Sequence, residues 1–292
     1  MAISDLSLFN SMAFALDSTS ANIQNIQQEL ASGKQVVQPS DNLVNYGQAQ
    51  ILSARVSAVN NDINTGQQVQ GNLSTVDNTL SSVANWLNSA ISIATQGADG
   101  SVNTSEMTTL GGQVQSILTQ VIGAGNTQYS GAYLFGGSQT NGAPFDSSGN
   151  YTGDANNTFS TFSDGTKIQS TFDGQAFLGD AATGAIGALT ALQNALQSGD
   201  KVATANTLSQ LQAAVQSVAT ASGNVGVNEQ SLQTFLTNAN TESTTLQTSI
   251  SSLTDADVAQ LSLNQQQALL QEQALISMAS GLGKIPLVNI LT

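Results

Sequence analysis

The chain has 292 residues, 40% of them hydrophobic but only 8% charged. Nineteen acidic residues stand against five basic ones, for a net charge of -14 and no histidine or cysteine. Average domains are nearer ~25% charged; here Gln, Asn, Ser and Thr fill the vacant surface. The five basic residues (Lys34, Arg55, Lys167, Lys201, Lys284) are far apart in sequence. That balance argues against the clustered cations a nucleic-acid backbone or an anionic membrane requires. Without cysteine there is no disulfide framework, and without His or Cys a tetrahedral zinc site is not expected. No run reaches the ~20 apolar residues of a membrane span, and no basic, then apolar, leader is visible at the start.

From Ile3 to Leu30, apolar residues recur at steps of three, four or seven (Ile3, Leu6, Leu16, Ile23, Leu30, with Phe9 and Ile26 beside them). This is the pattern of an amphipathic helix with a coiled-coil seam. Ser32-Gly33 ends it, and Pro39-Ser40-Asp41-Asn42 offers caps for the next helix. That helix runs from Asn42 to Thr95 on a near-heptad rhythm from Leu52 to Ala94, about 80 Å at 1.5 Å per residue. Gly66 and Gly71 interrupt it and mark either a kink or a close helix contact. After a turn, Asn103 and Glu106 have the spacing of a capping box, opening a helix to about Ile122.

From Gly123 to Gly179 the composition shifts to glycine, Asn, Asp and most of the aromatics. Thr158–Phe162 and Lys167–Phe172 flank Ser163-Asp164-Gly165-Thr166, a hairpin signal inside a small inserted β domain. Helical spacing returns at Ile186–Leu196, then from Val202 to Leu253, and finally in the heptads Leu261, Ala268, Leu275 and Leu282. Gly283 and Pro286 stop that helix before an apolar tail containing Leu287 and Leu291. The fold class predicted is mainly α: a long antiparallel coiled coil or helical bundle from the N- and C-terminal segments, with a small inserted β domain.

Candidate chemistry is thin. Ser198-Gly199-Asp200-Lys201 matches S-x-x-K, but the partner motifs of that enzyme class are missing, so it reads as a turn. Asp99, Ser101, Asn103 and Glu106 lack the spacing and glycine of a calcium loop and read as a capped turn. Asp255 and Asp257, two apart on a presumed helix, point to different sides and read as solvated. No catalytic, cofactor or metal residue is expected. The terminal stripes, which would leave a large apolar patch on a monomer, are expected to pack between subunits. On the first helix the interface residues are Ile3, Leu6, Phe9, Leu16, Ile23, Ile26 and Leu30. On the last segment they are Leu261, Leu269, Leu275, Ile276, Leu282, Leu287 and Leu291.

Leu30-Ala-Ser-Gly-Lys-Gln-Val-Val-Gln-Pro-Ser-Asp41 resembles the Leu-Ser-(Ser/Thr)-Gly-Lys-x-(Val/Ile)-x-x-(Ala/Pro)-Ser-Asp segment of bacterial flagellins and their relatives. Asp255-Ala-Asp257-Val258-Ala259 is similar to the segment that opens the terminal helix of that family, with Val258 in place of the usual aromatic. Gly131-Ala-Tyr-Leu-Phe-Gly-Gly137, followed by Ala143-Pro-Phe145, resembles the hook–filament junction branch of the superfamily more than flagellin proper.

The resemblance implies a terminal coiled-coil assembly domain (1–42 and 256–292), a helical-bundle domain (43–136 and 184–255) and an inserted outer β domain (137–183). It implies an extracellular, non-enzymatic component of the bacterial flagellum, exported without a cleavable signal peptide. Its role would be the adaptor between a hook-associated protein and the flagellin filament. Partners implied are the chain itself, a neighbouring junction protein, flagellin and an export chaperone, with no nucleic acid and no membrane insertion. Ile285-Pro286-Leu287 is equally like the flagellin tail, which keeps a short filament-forming flagellin open. A secreted adhesin or glycan-active protein, using the acidic insertion, is the alternative from another class.

Overall fold

The computed structural model describes the backbone of residues 2–282 and the side chains of residues 7–280. Among the described residues, seven helices and four short strands follow in the order α1 (Ala2–Ser32), α2 (Leu43–Gly97), α3 (Thr104–Gly125), β1 (Gln128–Tyr129), β2 (Ala132–Tyr133), β3 (Phe159–Thr161), β4 (Lys167–Gln169), α4 (Gln175–Leu178), α5 (Gly184–Ser198), α6 (Lys201–Thr254) and α7 (Val258–Leu282). The contacts divide the chain into two units, one of residues 1–57 and 243–292, the other of residues 58–242, so both boundaries fall inside α2 and α6.

In the second unit the core is built from helical stripes. Leu73, Val76, Leu80, Val83 and Leu87 of α2 are essentially fully buried, as are Val114 and Val121 of α3 and Ile186, Leu189, Leu192 and Leu196 of α5. Their spacing of three and four is the sequence periodicity, now facing inward. Gly66 and Gly71 prove to be contact points within a continuous helix. A Cβ on Gly66 would fall 2.7 Å from Leu236 Cδ2 of α6, and Gly71 lies beneath the Tyr129 hydroxyl. The capping box at α3 is present: Glu106 N–H donates to Asn103 Oδ1, and Asn103 N–H to Glu106 Oε2, both at 3.0 Å.

The inserted region holds two hairpins. In the β3–β4 pair, Phe159, Ser160 and Thr161 face Gln169, Ile168 and Lys167. Phe162, just beyond β3, stacks on Phe235 of α6 with ring centroids 4.1 Å apart. Ser163 at the turn donates from both backbone and hydroxyl to Asp62 of α2. The β1–β2 pair, which starts before residue 137, turns on Ser130 (φ 50°) and Gly131 (φ 84°), the two successive positive φ values of a type I′ turn. Neither that hairpin nor α4 is anticipated from the sequence.

The Tyr133–Phe145 motif is structural. Phe135 and Phe145 are 0% and 2% exposed. Phe135 meets Phe177 of α4 edge-on at 5.2 Å, and Phe145 lies beside Tyr151 at the same distance. Asn126, just after α3, clamps Phe145 by accepting its backbone N–H and donating to its carbonyl, both at 2.9 Å. Burial pushes the Tyr151 phenol well above its ordinary pKa; its hydroxyl donates to the carbonyls of Phe135 and Asp154.

Gly199 is left-handed and Asp200 caps α6, accepting from Val202 N–H and Ala203 N–H, so Ser198-Gly-Asp-Lys201 is a helix–helix turn. Asp99 accepts both the amide and the hydroxyl of Ser101, closing the loop before α3. Asp255 and Asp257 correct the expectation that they lie on a helix: they occupy the break between α6 and α7. The break exists because Asp257 caps α7, accepting from Ala259 N–H and Gln260 N–H at 3.0 Å each.

Candidate assembly interface

The first unit is organised by two chain reversals held against each other. Gly33, at φ +68°, ends α1 in the left-handed conformation that a Cβ would penalise. Beyond it, Gln35 N–H and Val36 N–H both donate to the Thr254 carbonyl (2.7 and 3.2 Å), and Ala256 N–H donates to the Gly33 carbonyl (3.0 Å). Lys34 and Asp255 form an antiparallel bridge, and Val36 is buried. Asp41 is the staple of this loop, accepting Val37 N–H and Gln38 N–H (2.9 and 3.0 Å). The cap of α2 is Asn42, which accepts Val44 N–H and Asn45 N–H. Asn45 in turn donates to the Leu253 carbonyl at 3.3 Å. The two segments that carry the flagellin-like motifs are therefore the two segments that bind each other.

Because the end of α1 is fastened to the start of α7, the two helices pack in opposite directions. Ile23, Ile26, Leu261 and Ala268 are buried between them, with Leu30 and Ala256 half-buried at the fastened end. Leu16 and Leu275 are also half-buried. Of the expected interface residues, then, Ile23, Ile26, Leu30 and Leu261 are taken up by the pairing within the chain. Phe9 (55% exposed), Leu269 (40%) and Ile276 (51%) face outward. The side chains of Ile3, Leu6 and Leu282 lie outside those described, and Leu287 and Leu291 lie outside the described residues altogether.

The outward apolar residues go beyond those expected. Leu8, Phe14 and Met278 are exposed, and so are Val258, Leu263 and Leu270 on α7 and Leu43, Val44 and Ile51 at the start of α2. Leu263 and Leu270 repeat seven residues apart, offset by two from the Leu261–Ala268 seam. At about 100° per residue they lie on the far side of α7 from α1. That second stripe is the signal the heptad reading passes over. Thirteen of the sixteen exposed large apolar side chains among the described residues fall in this unit, which is little more than a third of the chain.

The unit's polar cleft, about 640 Å³, is lined by Asn25, Gln28, Glu29, Lys34, Gln38 and Asp41 among others. Burial raises the Glu29 carboxyl above its usual range, aided by the charge of Asp41. Asp41 itself is held low by the amides of Val37 and Gln38, which it accepts as the staple of the loop. Among the described residues, no group of three or more acidic side chains is placed to hold a metal ion, and no helix is long and apolar enough to cross a membrane.

Residues 3–140 match the bacterial flagellin N-terminal helical region. Among solved structures, the chain is similar to FlgL of Bacillus cereus at 26% identity and a TM-score of 0.59, over 68% of this chain and 96% of that one. In fold it is also similar to flagellar hook-associated protein-3 of Legionella pneumophila (15% identity, TM-score 0.60, 70% and 97% covered). The flagellar junction protein FlgL of Legionella pneumophila is likewise similar in fold (15%, 0.55, 64% and 99%). A comparison with curated proteins finds no match. The N-terminal half of the chain thus carries a bacterial flagellin-like helical region, and the chain is similar to FlgL in fold.

Proposed function

We propose that this chain is a structural, non-enzymatic subunit of the bacterial flagellum, the adaptor at the junction between a hook-associated protein and the flagellin filament. One observation supports this reading above the others: exposed apolar side chains are concentrated on the paired terminal helices. Patches of this kind on a protein with a complete internal core mark association surfaces. The seam that joins α1 to α7 positions Phe9, Leu269 and Ile276, and the opposite stripe of Leu263 and Leu270, for neighbours on more than one side. Those neighbours are further copies of this chain, a second junction protein and flagellin. An export chaperone would cover the same apolar C-terminal helix before assembly. An extracellular location on the flagellum completes the reading.

Electron microscopy of the full-length protein at rising concentration tests it, beside a variant lacking residues 1–40 and 257–292. A soluble species or short oligomer that caps hook ends and seeds flagellin growth is expected, with that activity lost in the shortened variant. Long filaments from the chain alone would make it a flagellin instead. Equal assembly by the shortened variant would remove the terminal helices from the function.

A further inference from the structure

We propose that Asn141 is a site of spontaneous, enzyme-independent modification, converting to aspartate and isoaspartate in the folded protein. Asn141-Gly142 is the single Asn-Gly pair in the sequence, and it lies in an irregular, exposed stretch between β2 and Phe145. Neither the Asn141 side chain nor the Gly142 amide has a hydrogen-bond partner among the described residues. Nothing but its chain neighbours lies within 4 Å of the place where a Gly142 Cβ would stand, so no group from elsewhere in the fold crowds this glycine.

The chemistry is a ring closure followed by hydrolysis. The Gly142 nitrogen forms a bond to Asn141 Cγ. The Cγ–Nδ2 bond breaks, and Nδ2 leaves as ammonia, carrying the proton from the Gly142 amide. Water then adds to either carbonyl of the resulting five-membered imide. Opening at one C–N bond gives aspartate and at the other isoaspartate. Glycine favours the first step because no side chain blocks its nitrogen and its backbone turns freely.

Other positions of comparable chemistry are restrained, among them Asp99-Gly100, whose carboxylate accepts the amide and the hydroxyl of Ser101. Asn126 is committed to both backbone groups of Phe145, and Asn150 donates to Asp146. Asn88 lies inside α2, where the following amide belongs to the helix. The two Asp-Gly pairs of the inserted region, which would close the same ring by losing water, have their glycine amides bonded: Gly165 N–H to the Phe162 carbonyl and Gly174 N–H to the Phe135 carbonyl, both at 2.9 Å.

The product acts on a pinned loop. Tyr133 N–H holds the Thr140 carbonyl (2.9 Å), and the Thr152 hydroxyl holds the Ala143 carbonyl (2.9 Å). Isoaspartate at 141 inserts an extra carbon into the main chain between those two fixed points and adds a negative charge to a chain already at -14.

The test is a time course of the purified full-length protein at mildly alkaline pH, native and in urea, read by peptide mapping and mass spectrometry. Native Asn141 should convert at least about tenfold faster than any other Asn, a barrier lower by ~1.4 kcal/mol. Its rate should stay within about tenfold of the rate in urea. Gly142→Ala should slow it about tenfold or more; Gly142 has an ordinary negative φ and open space around it, so this variant keeps the fold. Asn141→Gln should abolish the charge shift. Faster conversion elsewhere, a native rate far below that in urea, or a Gly142→Ala rate equal to wild type would each overturn the proposal.

Discussion

Two substitutions on the terminal helices separate holding the chain together from holding subunits together. Ile26, 6% exposed, lies in the α1–α7 seam, whereas Leu270, 66% exposed, lies on the far side of α7. Ile26→Ala removes buried carbons and leaves a void, at about 2–4 kcal/mol for a core aliphatic residue. Leu270→Ala removes carbons worth ~2.4 kcal/mol on full burial, at ~0.8 kcal/mol each. About a third of that is already realised in the single chain, leaving roughly 1.5 kcal/mol for assembly, or about tenfold in critical concentration. Alanine is at least as good a helix former as leucine, so the helix itself loses nothing. Thermal unfolding followed by circular dichroism, and pelleting at graded concentrations, read the two effects independently. Ile26→Ala should melt earlier. Leu270→Ala should melt with wild type but assemble only at higher concentration. An unchanged critical concentration for Leu270→Ala, or a melting loss matching that of Ile26→Ala, would refute the assignment of the far stripe to neighbouring subunits.

Asn126→Ala should destabilise the second unit by about 2–4 kcal/mol, since it strips two hydrogen bonds from the buried Phe145 backbone; chemical denaturation measures it. Gly137→Ala should destabilise strongly in the same assay, because φ is +67° and a Cβ there would run into the Asp154 backbone. Melting temperature should hold from neutral to mildly acidic pH and fall below about pH 4. Asp41 is held low by the Val37 amide, Asp99 by the Ser101 amide, Asp146 by the Asn150 side chain, Asp154 by the Ser138 hydroxyl and Asp180 by the Ala182 amide. Groups lowered in the folded state stabilise above the unfolded aspartate value of ~3.9 and lose that contribution as pH drops through the folded values. Glu29, raised, acts oppositely, its penalty easing as pH falls. Assembly measured by pelleting should change little with salt or between neutral and mildly acidic pH, because the seam is flanked by amides; collapse in that window would count against it.

Long periodic stretches were legible from sequence because burial follows the helical repeat. The stripe from Leu73 to Ala94 is both the sequence pattern and the inward face of α2. Local chemistry was legible where donor and acceptor are neighbours, as in the Asn103–Glu106 box and the turn after Phe162. What escaped depends on partners far apart in the chain. Asp41 and Asn42 are both good caps in isolation; only the fold divides them into loop staple and helix cap. Asp255 and Asp257 read as two solvated side chains of one helix until the Lys34–Asp255 pairing interrupts it. At the interface, the heptad Leu261–Ala268–Leu275 was found, but one apolar stripe does not say whether it meets its own chain or another. Ile23, Ile26 and Leu261 went to their own chain.

That division bears on why the ends carry so much exposed apolar surface while the second unit carries little. A helix that only needed to close against α1 would be polar on its far side. In α7, Leu263 and Leu270 stand opposite the seam, with Leu269 and Ile276 between. Keeping leucine at water-facing positions gains nothing within one chain and adds a liability to aggregation. The internal seam and the bridge at Lys34–Asp255 fix the orientation of α7 first, so its remaining faces are presented in a defined register. A single face would make a dimer and stop. On the proposed reading, faces on two sides of one helix would instead let each subunit contact neighbours in two directions, which is the geometric requirement for a ring or helical layer.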